Sequence, residues 1–243
     1  MERSSIDRVD MLYDNLQRIR ETIAAACAQA GRREEDVALL AVTKTVDPVR
    51  INRALELGVQ QIGENRVQEF LSKRDELHLQ GKAVHLIGHL QTNKVKSIVG
   101  KVQMIESIDS LRVARAVDAA SRACGIVTDV LVEVNIGGEE AKSGVSPQEL
   151  DPLLEDLSSL SGIRVRGLMT VPPILETEVE KRQIFSQMYQ LFIDRKAENR
   201  DNRHMDVLSM GMSGDYREAI LEGSTQVRVG SALFGARAYP PTR

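Results

Sequence analysis

The chain has 243 residues and a formal net charge of −3, and this near-balance of charge excludes the basic surface on which nucleic-acid binding depends. No apolar stretch reaches the roughly 20 residues of a membrane helix, and the charged N-terminus "MERSSIDRVD" lacks the apolar segment of a secretory signal. We therefore expect a cytoplasmic protein that binds neither nucleic acid nor a membrane.

An amphipathic helix is the first predicted element. Apolar residues recur at helical spacing over residues 6–30, and Gly31 follows as a helix stop. Eight apolar runs of strand length come after it, with helical segments between several of them. The runs cover residues 37–44, 60–64, 83–88, 103–108, 128–135, 163–170, 205–211 and 226–235. The helical segments cover residues 48–57, 67–79, 110–122, 147–160 and 178–198.

This alternation of strands and helices predicts a parallel sheet with helical crossovers. Eight such units in about 250 residues fit a TIM barrel. A doubly wound open sheet is the alternative, but it usually carries a glycine-rich turn after its first strand, and the stretch "TKTVDP" has no glycine. Because no linker rich in Pro, Gly or Ser divides the chain, we expect one domain over residues 1–243. In it, residues 1–31 form an extra helix and residues 37–235 form the barrel.

The first predicted strand ends in a lysine, within "AVTKTV" at residues 41–46. If Leu40, Val42 and Lys44 face the barrel interior, the lysine lies at the end of an apolar column, where TIM barrels place their working residues. Burial lowers the pKa of an amine, and a partly neutral lysine forms Schiff bases with carbonyl groups. A solvent-exposed lysine at a strand end is the alternative.

Two stretches rich in glycine and serine, "SMGMSGD" and "RVGSALFG", belong to the seventh and eighth strands. Hydroxyl groups and glycine backbone N–H groups bind anions, and TIM barrels commonly hold phosphate after these two strands. Tight turns are the alternative, and Ser213 is also a candidate helix N-cap. The candidate anion ligands are Ser209, Gly211, Ser213, Gly214, Gly230 and Ser231.

Three further positions carry polar groups near predicted strand ends. Arg228 lies between two valines and, if buried, needs an acceptor, which is either a carboxylate such as Glu133 or a ligand atom. Asn65, just past the second strand, is a candidate ligand contact. The polar residues past the third strand are assigned to a solvated loop and are His89, Gln91 and Asn93.

Neither a disulfide nor a metal site is predicted. Cys27 and Cys124 are far apart and form no CxxC pattern, so we expect both to be buried free thiols. His85 and His89 are four residues apart, but a path from strand into loop does not put them on one face. No third zinc ligand is spaced nearby.

Six stretches together resemble the pyridoxal-phosphate homeostasis proteins, the YggS family. They are "AVTKTV", "IGENRVQE", "HLIGHLQTNK", "RGLMT", "LSMGMSGD" and "RVGSALFG", in the family's order. The resemblance implies a fold type III barrel similar to the N-terminal domain of alanine racemase, with pyridoxal 5′-phosphate (PLP) held by Lys44 as a Schiff base. It also implies that Arg228 faces the pyridine nitrogen and that Asn65 lies near the cofactor. The implied phosphate ligands are Ser209, Ser213, Gly230 and Ser231.

The resemblance also bears on activity. Arginine only donates hydrogen bonds, so a ring nitrogen opposite Arg228 stays unprotonated and the cofactor is a weak electron sink. Alanine racemases use a tyrosine from a second domain, whereas this sequence ends at "ARAYPPTR" and Tyr216 fits a packing role. We therefore expect a monomeric, non-enzymatic protein of intracellular PLP homeostasis whose partners are PLP and PLP-dependent apoenzymes. A weak amino-acid racemase and a cofactor-free Schiff-base aldolase are the alternatives.

Overall fold

The computed structural model describes residues 3–139, 141–198 and 203–235. The first two residues of the predicted extra helix and the C-terminal stretch "ARAYPPTR" (236–243) lie outside the described residues. Across the described parts of the chain, no helix combines the length and the apolar character that crossing a membrane requires.

Eight parallel strands close into a barrel in sequence order, with β1 paired to both β2 and β8. This confirms the predicted TIM barrel and excludes the doubly wound open sheet. The strands are β1 (Ala38–Val42), β2 (Gln61–Glu64), β3 (Ala83–Leu86), β4 (Met104–Ile108), β5 (Thr128–Glu133), β6 (Ile163–Met169), β7 (Arg203–Met212) and β8 (Gln226–Val229).

Helices follow the strands and cover the outside of the barrel. They are α1 (Arg3–Gln29), α2 (Pro48–Glu56), α3 (Val67–Lys73), α4 (Val95–Ile98), α5 (Leu111–Ala123), α6 (Leu150–Ser158), α7 (Glu178–Ala197), α8 (Tyr216–Leu221) and α9 (Ser231–Phe234). The extra helix α1 packs on α8 and α9. It buries Leu12, Leu16 and Ile19 there, because these positions recur on one face at helical spacing.

Local sequence explains where several elements begin and end. The Asp47 side chain accepts a hydrogen bond from the Arg50 N–H, and Pro48 follows as the first helical residue of α2, as is usual at helix starts. The predicted eighth strand is too long, because "SALF" forms the short helix α9 directly after β8. The predicted helix over 67–79 is also too long, since α3 ends at Lys73 and a single 3₁₀ turn follows.

The two cysteines differ in environment. Cys27 is buried on α1 as predicted, but Cys124 is exposed, so the prediction of two buried thiols is wrong for this residue. Cys124 is the C-cap residue of α5, at the end of the helix. Both cysteines are free thiols.

Candidate functional site

A cavity of about 360 Å³ opens at the carboxyl end of the barrel. Its volume falls in the range of about 300–1,000 Å³ that is typical of small-molecule sites. It brings together strand ends that are far apart in sequence. Its lining includes Val42, Lys44, Asn65, Ile87, Val171, Met212, Ser213, Gly214, Arg228, Gly230 and Ser231.

Lys44 lies two residues past the end of β1, in a tight turn, and is half-buried at the cavity. Val42 lines the same cavity, whereas Ala41 belongs to the apolar core, as the predicted alternation along β1 requires. The next residue, Thr45, has a φ of 62°. A β-branched residue in this left-handed region is strained, so the surrounding contacts must hold the turn.

Those contacts come from a cluster that consists of the buried Thr43, Glu64 and Lys73 and the partly exposed Glu69. The Lys73 ammonium lies 2.8 Å from Glu64 Oε1, 3.1 Å from Glu69 Oε1 and 2.8 Å from the Thr43 carbonyl oxygen. The Thr43 hydroxyl donates to Glu64, and Glu69 accepts the N–H of Thr45 at 2.5 Å. Burial raises the pKa of Glu64, against the opposing effect of Lys73. The cluster therefore fixes the backbone on both sides of Lys44.

Ser213 lies in the turn after β7 and faces the start of α9. Its Oγ accepts hydrogen bonds from the N–H of Gly230 at 3.1 Å and from the N–H of Ala232 at 3.2 Å. The two backbone N–H groups converge on one oxygen, as they do in anion-binding turns. Because both bonds are accepted, the Ser213 hydroxyl proton remains for a ligand in the cavity.

The other serine and glycine of the seventh strand lie elsewhere. Ser209 is completely buried within β7 and is not among the residues that line the cavity. Gly211 has a φ of 92°, and a Cβ there would lie 2.5 Å from the Ala219 Cβ, so this glycine allows α8 to pack closely. The N-cap of α8 is Asp215 rather than Ser213.

Arg228 is 3% exposed and lines the cavity from β8. Its Nη1 donates to Ser209 Oγ at 2.8 Å, and its Nη2 donates to the Thr170 carbonyl oxygen at 2.7 Å. Burial lowers the pKa of Arg228, and the carboxylates of Glu106, Glu133 and Asp215 oppose this shift. The proposed alternative acceptor, Glu133, therefore acts on Arg228 through its charge and accepts none of these hydrogen bonds.

Asn65 lies at the end of β2 and lines the cavity, and its buried Oδ1 has no hydrogen-bond partner. The carbonyl of Asn65 is so close to Gly88 that a Cβ on residue 88 would lie 2.2 Å from the oxygen, so only glycine fits at position 88.

The polar residues past β3 do not line the cavity. His89 contacts Asp109 at 3.1 Å, and Gln91 and Asn93 are exposed, as the solvated-loop assignment predicts.

Glu133 is a buried carboxyl at the end of β5. It is 7% exposed, and its pKa is raised to about 7, first by burial and then by the Asp109 carboxylate, while Arg228 opposes the shift. Since this pKa exceeds the ordinary value of 4.5, the folded state binds the proton more tightly than the unfolded state. The free energy of unfolding therefore falls as the pH rises from about 4.5 to about 7.

Glu133→Gln should remove this loss of stability in the cofactor-free protein. We expect the substitution to raise the free energy of unfolding by about 1–3 kcal/mol at about pH 8 and to change it little at about pH 4.5. Urea unfolding across this pH range measures the difference, with Glu21→Gln on the exposed face of α1 as the control. An equal effect of Glu133→Gln at both ends of the pH range would contradict the raised pKa of Glu133.

The described residues contain no cluster of three histidine, cysteine, aspartate or glutamate side chains that could hold a metal ion.

The sequence analysis did not identify the charged groups that support the cavity, namely Glu64, Lys73 and Glu106. A signal existed for Glu106, because it lies within the apolar run "QMIESI" and a charge there needs a buried partner.

A model of the family described as "Alanine racemase, N-terminal domain" matches residues 14–238 of the chain. The chain is 44% identical over 226 residues to the pyridoxal phosphate homeostasis protein of Aquifex aeolicus, with 93% of this chain and 98% of that relative covered. It is also 39% identical over 228 residues to the Escherichia coli protein of the same description.

Solved structures show the same relationship. PipY from Synechococcus elongatus, solved with PLP bound, aligns with a TM-score of 0.76 and 32% identity, covering 88% of this chain and 100% of that chain. Alanine racemase from Clostridium difficile aligns with a TM-score of 0.70 at 17% identity, covering 96% of this chain and 60% of the racemase. The second likeness supports the fold alone.

Proposed function

The chain belongs to the pyridoxal phosphate homeostasis protein family, and on this basis we propose that it binds PLP in the carboxyl-end cavity and buffers it within the cell. When bound, PLP supplies an aldehyde that condenses with an amine, a phosphate group and a pyridine ring. One observation carries the proposal: a single cavity combines the Lys44 amine, the Ser213 hydroxyl, whose proton remains for a ligand, and the buried Arg228 cation.

Each part of the cavity suits one part of the cofactor. Lys44 supplies the amine for covalent attachment. Ser213, Gly230 and Ser231 hold the phosphate, with the Ser213 hydroxyl proton donated to a phosphate oxygen. The unpartnered Asn65 Oδ1 supplies an acceptor in the same cavity. Ser209 does not fit the expected role of phosphate ligand, because its hydroxyl lies outside the cavity lining.

Arg228 supports binding without fast catalysis. A guanidinium keeps its proton and only donates, so it stabilises an unprotonated ring nitrogen. An unprotonated pyridine withdraws electrons from a substrate weakly, and carbanion chemistry on it is slow. We therefore infer a single-domain, monomeric, cytoplasmic carrier that passes PLP to apoenzymes, rather than an enzyme.

A weak amino-acid racemase is the alternative that shares the same attachment at Lys44. A cofactor-free aldolase would use the lysine and the anion-binding turn, but it leaves the buried Arg228 without a role. The buried Arg228 in the cavity therefore favours PLP over a sugar phosphate.

The absorption spectrum of the purified protein with added PLP tests the proposal. We expect the absorption band of PLP to shift to longer wavelength on binding, and we expect no exchange of the α-proton of any amino acid with deuterated solvent. The bound PLP should restore activity to a PLP-dependent apoenzyme. Absence of the shift would contradict covalent binding of PLP, whereas rapid α-proton exchange would favour the racemase.

A further inference from the structure

Five polar side chains form a hydrogen-bonded network inside the barrel, beneath the cavity. Each is at most 5% exposed. Glu106 on β4 and Ser209 on β7 are hydrogen-bonded although these strands are not neighbours, so their contact crosses the barrel interior. The network consists of His85, Glu106, Ser209, Gln226 and Arg228.

Ser209 links the two oppositely charged residues of this network, Glu106 and Arg228. Its hydroxyl donates to Glu106 Oε2 at 2.6 Å and accepts from Arg228 Nη1 at 2.8 Å and from Gln226 Nε2 at 3.0 Å. A hydroxyl has one donor and two acceptor positions. All three are used, so Ser209 has no hydrogen bond left for a ligand.

Glu106 is the buried anion that balances Arg228. Burial alone would raise the pKa of Glu106, but His85, the charge of Arg228 and the Ser209 hydroxyl together lower it. The carboxylate also accepts from His85 Nδ1 at 2.6 Å and from Gln226 Nε2 at 2.7 Å. An ionised carboxylate with this many donors is held in one orientation.

We propose that Ser209 and Glu106 are positioning residues for the cofactor: they aim the Arg228 guanidinium at the pyridine nitrogen without touching PLP. This inference rests on the proposed function. Ser209 and the Thr170 carbonyl fix two nitrogens of a planar, rigid group, which sets the direction of its remaining N–H donors. Without Ser209, the charges of Glu133 and Asp215, which also act on Arg228, compete for the guanidinium.

The test compares Ser209→Ala with a matched loss of another buried hydroxyl. Ser121 is 0% exposed and bonds to Thr128 at 2.7 Å between α5 and β5, so Ser121→Ala is the control. Both variants are titrated with PLP and with pyridoxal, which lacks the phosphate. Ser209→Ala should weaken both ligands by about tenfold, since a hydrogen bond to a charged group is lost, and Ser121→Ala should weaken neither.

A second measurement reports the ring nitrogen itself. The ¹⁵N chemical shift of ring-labelled PLP should change in Ser209→Ala, because the hydrogen bond from Arg228 is misdirected, and should not change in Ser121→Ala. If Ser209→Ala does not fold, Ser209→Cys, which keeps a weak donor and acceptor, should give a smaller loss of the same kind.

The outcomes distinguish failure of the positioning role of Ser209 from failure of PLP binding itself. Weaker binding of PLP but unchanged binding of pyridoxal would overturn the inference in favour of a phosphate contact at Ser209. Unchanged affinities with an unchanged ¹⁵N shift would also overturn it. Failure of the unsubstituted protein to bind PLP would instead overturn the proposed function.

Discussion

Lys44→Ala is expected to abolish covalent attachment of PLP and to weaken its binding by about 100-fold or more, which corresponds to about 2.8 kcal/mol. The non-covalent contacts remain, because Ser213 follows β7, Gly230 follows β8 and Arg228 lies on β8. The variant should therefore keep weak, non-covalent binding of PLP. Equilibrium dialysis gives the affinity, and the shifted visible band reports the covalent attachment.

Lys101→Ala is the matched control for this substitution. Lys101 is exposed and precedes β4, at the opposite end of the barrel from the cavity. Its replacement should leave both the visible band and the affinity unchanged. A visible band of normal intensity in Lys44→Ala would contradict the assignment of Lys44 as the attachment point.

Lys73→Met is expected to lower the free energy of unfolding by about 3–5 kcal/mol, the usual effect of leaving one partner of a buried ion pair uncompensated. Glu64 is 0% exposed and Lys73 is 7% exposed, so solvent cannot replace the lost ammonium. The Thr43 carbonyl also loses a donor, which loosens the turn that carries Lys44. Binding of PLP should weaken along with stability.

Urea unfolding of the cofactor-free protein measures this effect. Arg33→Met breaks an exposed ion pair with Asp36 and should hardly change the unfolding midpoint, because surface pairs contribute little. Adding Glu64→Gln to Lys73→Met removes the stranded carboxylate and should recover part of the lost stability. Equal, small effects of Lys73→Met and Arg33→Met would contradict the claim that the buried ion pair of Lys73 with Glu64 stabilises the fold.

The barrel was predictable because its signals are local. Short apolar runs alternate with amphipathic segments, and this pattern alone favours parallel strands with helical crossovers. The order of β1 to β8 then follows from the fold, as does the meeting of Lys44 with the turns after β7 and β8. The short helix α9 was missed because "SALF" is apolar and follows β8 without a break, and an apolar run of this length fits a strand or a helix.

The site was predictable only in part, because strand ends are not sharply marked in the sequence. The run over 205–211 places Ser209 close to the end of the seventh strand, but β7 continues to Met212. Ser209 therefore lies one layer deeper, among buried side chains, and Ser213 takes the position at the cavity. A shift of a few residues along a strand changes a ligand contact into a supporting one.

The supporting charges were not predictable from spacing. Glu64 and Lys73 meet because α3 folds back over the end of β2, and Glu106 meets Ser209 across the barrel from β4. No spacing rule links the members of either pair, and Glu106 and Ser209 are also distant in sequence. Only the three-dimensional structure identifies which buried charge each of them balances.

Borohydride reduction of the PLP-loaded protein, followed by peptide mass mapping, tests the central claim most directly. We predict one reduced pyridoxyl adduct, on the peptide that contains Lys44, and no adduct after Lys44→Ala. An adduct confined to another lysine, or the absence of any adduct in a protein that binds PLP, would contradict the claim that Lys44 is the covalent attachment point of the carrier.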